Sequence, residues 1–88
     1  MAGLAIRTSK VTVGTTVTLL AASRPGRTQL ILINEGTTDV RIGNKAVTSS
    51  TGALLNGVKG QTLVLETGSD VYGIVGAGTH AVSVIETA

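Results

Sequence analysis

Gln29-Leu-Ile-Leu-Ile-Asn34, entered through Arg24-Pro25-Gly26-Arg27 and left through Glu35-Gly36-Thr37-Thr38-Asp39, decides the fold. The large aliphatics Leu30 to Ile33 make too short a run for a helix and include β-branched residues, so the stretch predicts a central β-strand buried on both faces. Pro25-Gly26 fits the middle of a type II turn, because proline fixes φ near the value needed first and glycine takes the positive φ needed second at no steric cost. Beyond the strand, Asn34, Gly36 and Asp39 are turn formers, and Val40-Arg41-Ile42 resumes an apolar, polar, apolar alternation. The expectation is a hairpin, and with it an antiparallel sheet.

Outward from this strand the same signals repeat. Residues 1–9 read as an N-terminal arm, and residues 10–88 as a single domain. Lys10-Val-Thr-Val13 alternates, Gly14-Thr15 offers a turn or bulge, and Val17-Thr-Leu-Leu-Ala-Ala22 alternates before becoming wholly apolar. Gly43 to Gly60 breaks the pattern with glycines, Asn44, Asn56 and Thr48-Ser-Ser-Thr51, yet holds Val47, Leu54, Leu55 and Val58. It reads as a structured loop folded over one end of the core. Gln61 to Glu66, Val71 to Val75 and His80 to Glu86 are further strands, with Leu63 and Leu65 on one side of theirs and Val82 and Val84 turned to the core. About seven short strands without helical periodicity predict an all-β fold, a small antiparallel β-sandwich or jelly-roll-like barrel.

Composition bounds how such a domain is held together. A chain of 88 residues hides only roughly 60 to 65% of its unfolded surface. Phe and Trp are absent and Tyr72 is the only aromatic, so the core is aliphatic and buries little per residue. Cysteine is absent and the single histidine cannot assemble a zinc site, which leaves partners as the remaining support. Mean hydropathy is positive and only 14% of residues are charged, an apolar balance that points to an assembly. Open strand edges in so Val- and Thr-rich a chain point the same way. The order of apolar and basic residues in Met1 to Lys10 is the reverse of a secretory signal, and no apolar run approaches membrane-spanning length. The expectation is a chain made in a cytoplasm, with no membrane partner.

Chemistry-bearing residues are sparse. His80 opens the last strand without a cysteine or serine elbow beside it, so a structural role outweighs a catalytic one. Glu35, Asp39, Glu66, Asp70 and Glu86 sit mostly in or beside turns, where Asp caps its own backbone; a glycosidase-like carboxylate pair would lack a cleft-forming insertion or aromatic sugar platform, and neither the Asp39 nor the Asp70 turn has the dense acidic spacing of a calcium loop. Gly73-Ile-Val-Gly76-Ala-Gly78 lacks the Lys-Ser/Thr ending and the helix of a phosphate loop. No enzyme activity, cofactor or metal is therefore expected. Residues 1 to 34 carry Arg7, Lys10, Arg24 and Arg27 with no acid, whereas the rest carries Arg41, Lys45 and Lys59 against all 5 acids. One tyrosine cannot supply the stacking platform of a single-strand binder, so the basic part is expected to meet an acidic protein surface, not nucleic acid.

Val11-Thr-Val-Gly-Thr-Thr-Val-Thr-Leu-Leu-Ala-Ala22, Arg27 to Asn34, Gly36, Asp39-Val-Arg-Ile-Gly43, Ala46-Val-Thr-Ser-Ser-Thr-Gly52, Gly60 and Asp70-Val-Tyr-Gly-Ile74 together resemble small β-sandwich virion proteins of tailed bacteriophages. The resemblance spans nearly the whole chain and lies in turns and strand ends, with no catalytic signature. It implies a structural virion role on the capsid surface: a decoration or cement subunit, a homotrimer at local threefold positions, bridging major capsid protein subunits. Arg7 and Lys10 of the arm are the expected capsid contacts. A tail or fibre component binding a host-surface sugar is the second reading, and a host-directed binding module outside the virion the third. Glu35, in place of a neutral polar residue, and Lys59-Gly60, in place of a more acidic turn, depart from the pattern at positions that would alter a partner surface.

Overall fold

A computed structural model describes residues 6–87, which form β1 (Ile6–Val13), β2 (Thr18–Ala21), β3 (Gln29–Asn34), β4 (Val40–Gly43), β5 (Ala53–Leu55), β6 (Thr62–Leu65), β7 (Val71–Val75) and β8 (His80–Thr87). Two four-stranded antiparallel sheets result, one ordered β1-β8-β3-β6 (sheet A) and the other β2-β7-β4-β5 (sheet B). Successive strands change sheet everywhere except at β4 and β5, which pair with each other. This is the strand order of an eight-stranded jelly roll.

The expected strand over Gln29–Asn34 is present with those bounds, but the hairpin after it is not. Both edges of β3 are taken, by β6 and β8, so residues 35–39 carry the chain across the end of the sandwich into sheet B. The eighth strand, β5, lies inside the stretch expected to be a loop; three residues long, it is too short to show a period, yet it buries Leu55. The expected arm also gives way to structure: Ile6 to Ser9 already belong to β1 and pair with β8, while residues 1–5 lie outside the described residues.

Burial alternates along β3. Leu30, Leu32 and Asn34 are fully buried, whereas Ile31 and Ile33 are half-buried on the other side, so the aliphatic run serves two environments instead of one. Facing Leu30 and Leu32 are Val40, Ile42 and Leu55 from β4 and β5 and Val71 and Val75 from β7, completed by Val13, Leu20, Ala21, Val82 and Val84. Leu20 and Ala21 are adjacent in sequence yet both buried, because a register shift between Leu19 and Ala21 turns the second residue back inward.

Two buried polar side chains fix the ends of β3. At its entry the Arg27 guanidinium donates to the backbone oxygens of Ala22, Thr67 and Ser69 and forms a 2.9 Å ion pair with Glu86 of β8. At its exit Asn34 Nδ2 donates to the backbone oxygens of Thr38 and Asn56, both at 2.9 Å, while Oδ1 accepts from the Gly36 N–H. The predicted type II turn is formed, with Gly26 at φ 88° and the Arg27 N–H donating to Arg24 O. Asp39 and Asp70 cap distant loops instead of their own turns, accepting from the Gly57 and Ser23 N–H groups.

The loop over residues 44–52 covers part of the outer side of sheet B, around Gly43. Gly43 alternates with inward Ile42, and Val47 packs against Gly43 at 5% exposure, outside the main core. Gly52 completes the closure, because a Cβ there would lie 2.6 Å from Ile42 O and its φ is 95°.

Arg27→Ala leaves Glu86 and three backbone acceptors without their donor, and should lower the unfolding free energy by about 3–5 kcal/mol in urea denaturation. Arg27→Lys should recover only part of it, since an ammonium cannot reproduce the forked geometry.

Candidate functional site

The outer face of sheet A follows from its registers, because residues paired across strands share a face. β1 contributes Ile6, Thr8, Lys10 and Thr12; β8 contributes Ala81, Ser83, Ile85 and Thr87; β3 contributes Gln29, Ile31 and Ile33; β6 contributes Thr62 and Val64. Lys10 is the only charged residue among them. Ile85, Ile31 and Val64 stand in one row across three strands, with Ile33 beside them, and Val64 is 49% exposed. Their side chains meet no covering loop comparable to residues 44–52 on sheet B among the described residues.

A groove of about 320 Å³ runs into this face between Thr8, Lys10, Ile33, Glu35, Ser83 and Ile85. The Ser83 hydroxyl donates to Glu35 Oε2, and Ser83 pairs directly with Lys10. A cation and an anion therefore flank one hydroxyl beside the apolar row of Ile85, Ile31 and Val64, on a face whose other positions are mostly Thr and Gln. Glu35 is placed there because its own N–H donates to Ala81 O, at the point where the chain leaves β3. Sequence reading flagged Glu35 as unusual but gave no reason to join it to Ser83, which is 48 residues away.

The second feature is the edge of β1, eight residues long, exposed over Ile6–Lys10 and open among the described residues. Ala81 O and Thr87 O accept from Glu35 and Thr28 on the β3 side. In an antiparallel strand N–H and C=O of one residue point the same way and alternate along the chain. His80, Val82, Val84 and Glu86 therefore turn to β1 and bond with Val13, Val11, Ser9 and Arg7. The backbone groups of Thr8, Lys10 and Thr12, and of Ile6 before them, point away from the sheet. Arg7 and Lys10, the two expected contact residues, are both exposed but stand on opposite sides of β1: Arg7 pairs with inward Glu86 and Lys10 with outward Ser83.

Arg27, counted in sequence as part of a basic surface, is 5% exposed and neutralised internally by Glu86. Its burial has no signature in the sequence, because its acceptors are mostly backbone oxygens from distant loops. His80 is half-buried beside Gly36 and Gly78. Among the described residues no three of His, Asp and Glu converge as metal ligands would. No family model, curated protein or solved structure matches the chain.

Hydrogen exchange should show the alternation of β1 directly. In the dilute protein the amides of Ser9, Val11 and Val13 should exchange more slowly than those of Thr8, Lys10 and Thr12; uniform exchange along β1 would contradict the assigned edge.

Proposed function

We propose that the chain is a non-enzymatic structural virion protein of the capsid decoration type, which associates with copies of itself and docks on the major capsid protein. The observation that carries this reading is the bare outer face of sheet A. Ile31, Ile33, Ile85 and Val64 form one apolar field, with Lys10 at its β1 margin and Glu35 beside the groove. Such a field with charges confined to its rim has the composition of a subunit contact. On sheet B residues 44–52 cover the part of the outer face around Gly43 and leave Leu19 and Leu54 each 43% exposed, whereas sheet A has no covering loop among the described residues, so the interior of an assembly is the environment that suits its field. The residues resembling tailed-phage sandwiches give the reading its class, and the threefold arrangement common among decoration subunits makes a homotrimer the assembly proposed.

The contact required is modest. Stable specific interfaces bury about 800 Å² per partner, and half-buried isoleucines supply apolar area at about 25 cal/mol per Å² removed from water.

Ile31 and Leu32 separate the face from the core within two adjacent residues. Ile31→Asp should leave the circular dichroism spectrum and urea midpoint close to those of the parent while shifting the sedimenting species from trimer to monomer. Leu32→Asp places an unpaired carboxylate in the core, a cost of several kcal/mol against a total stability of about 5 to 15, and should unfold the chain. A parent protein that sediments as a monomer at micromolar concentration and fails to bind capsids would remove both the trimer and the decoration role.

A further inference from the structure

We infer that the open edge of β1 is a strand-addition site for an extended, acidic segment of another protein, one that places a carboxylate opposite Arg7 and another opposite Lys10. The inference rests on the docking role proposed above and names the chemistry of the docked partner. Arg7 and Lys10 stand on opposite sides of β1, so a partner lying on either face of the sheet reaches only one of them directly. A strand running along the edge meets both, because its own side chains alternate between the same two faces. The residues it sets against Arg7 and Lys10 are then three apart in its sequence. Between them its backbone pairs with the outward N–H and C=O groups of Thr8 and Lys10, and further pairing extends to Ile6 and Thr12.

Charge decides against a second copy of this chain as the occupant. The β1 strand Ile6–Val13 carries two cations and no acid, so pairing it with itself gathers four positive charges along one seam. The other open edges, β2 (Thr18–Ala21), β5 (Ala53–Leu55) and β6 (Thr62–Leu65), contain no acid either. They are also only three or four residues long, against eight for β1. No edge of the described fold offers the carboxylates that this one is set to receive. Opposite charges across a strand pair stabilise it and like charges oppose it, so the same two residues that attract an acidic strand repel a copy of β1.

The backbone phase of β1 supplies a clean perturbation. Thr8 has an outward N–H, so Thr8→Pro removes a donor from the open edge without touching the bonds to β8, and proline is tolerated at that kind of edge position. Ser9→Pro, one residue on, removes a bond to β8 and should disrupt β1 in the free protein. Arg7→Glu with Lys10→Glu reverses the charge at two exposed side chains and leaves the backbone edge intact.

The probe is a synthetic seven-residue peptide of alternating valine and threonine carrying two glutamates three residues apart, titrated into the isotopically labelled protein. Its controls are the same peptide with glutamines and with lysines. The glutamate peptide should shift the Thr8, Lys10 and Thr12 amide resonances and slow their exchange, and added salt should weaken it. Thr8→Pro should weaken binding by about tenfold or more, and the doubly reversed variant should prefer the lysine peptide. Equal response to glutamate and glutamine peptides, or full binding by folded Thr8→Pro, would overturn the inference. Capsid particles tested alongside separate the two ideas. Uptake of wild type and Thr8→Pro alike keeps the decoration role and removes the edge; edge-specific peptide binding without particle uptake does the reverse.

Discussion

The buried Arg27 guanidinium is the constraint on which the arrangement of strands depends. A cation taken out of water is costly unless its hydrogen bonds are replaced, and here four acceptors come from three segments of chain: the β2–β3 loop, two points of the β6–β7 connection, and Glu86 of β8. The guanidinium is satisfied only when those pieces are correctly assembled, so it discriminates against other pairings of the same aliphatic strands. Asn34 does the same at the opposite end of β3, where its amide ties the crossover to β4 to the turn before β6. The core between the two is aliphatic and has little shape specificity of its own, with Leu30 and Leu32 meeting Val, Ile and Leu from the other sheet. Hydrophobic burial holds the sheets together; the two polar groups fix which strand lies beside which.

The two sheets differ in what they do with their outer faces. Sheet B carries Ile74 outward at only 9% exposure, paired with Arg41, and Val47 closes over Gly43, while Leu19 and Leu54 on the same face remain 43% exposed. The long irregular segment thus has a structural purpose that its composition suggested, though it covers the outside of a sheet and not the end of the core. Sheet A has no such cover among the described residues.

Period-two alternation made most of the fold legible. The bounds of β3 and β7 and the Pro25-Gly26 turn followed from residue types whose backbone preferences are local. What failed was of longer range. Asn34, Gly36 and Asp39 signal a change of direction without saying whether the next strand joins the same sheet; that depends on β8, which arrives some fifty residues later and occupies the edge a hairpin would have used. The β5 strand is too short to carry a period, and its membership of sheet B is set by β4. The candidate surface was half visible. Arg7 and Lys10 were legible as exposed cations near the start of the chain, but their opposite orientation needed the register with Glu86 and Ser83. Ile31 and Ile33 were read as core because a run of four aliphatics conceals its own alternation, and only the pairing partners distinguish a core face from a bare one.

The face and the edge of sheet A are perpendicular resources, and using one does not consume the other. Contact through the face buries the side chains of Ile31, Ile33, Ile85 and Val64, none of which belongs to β1. Contact through the edge uses backbone groups of β1, which point within the plane of the sheet. Lys10 lies where the two meet: its backbone faces the edge, and its side chain sits at the rim of the face beside the groove. A lysine there admits an apolar partner across β8, β3 and β6 while discouraging one that slides over β1, which keeps the edge clear. Under the docking role proposed above, copies of the chain would meet through one surface and a different protein through the other, with a single charged side chain keeping the two contacts apart.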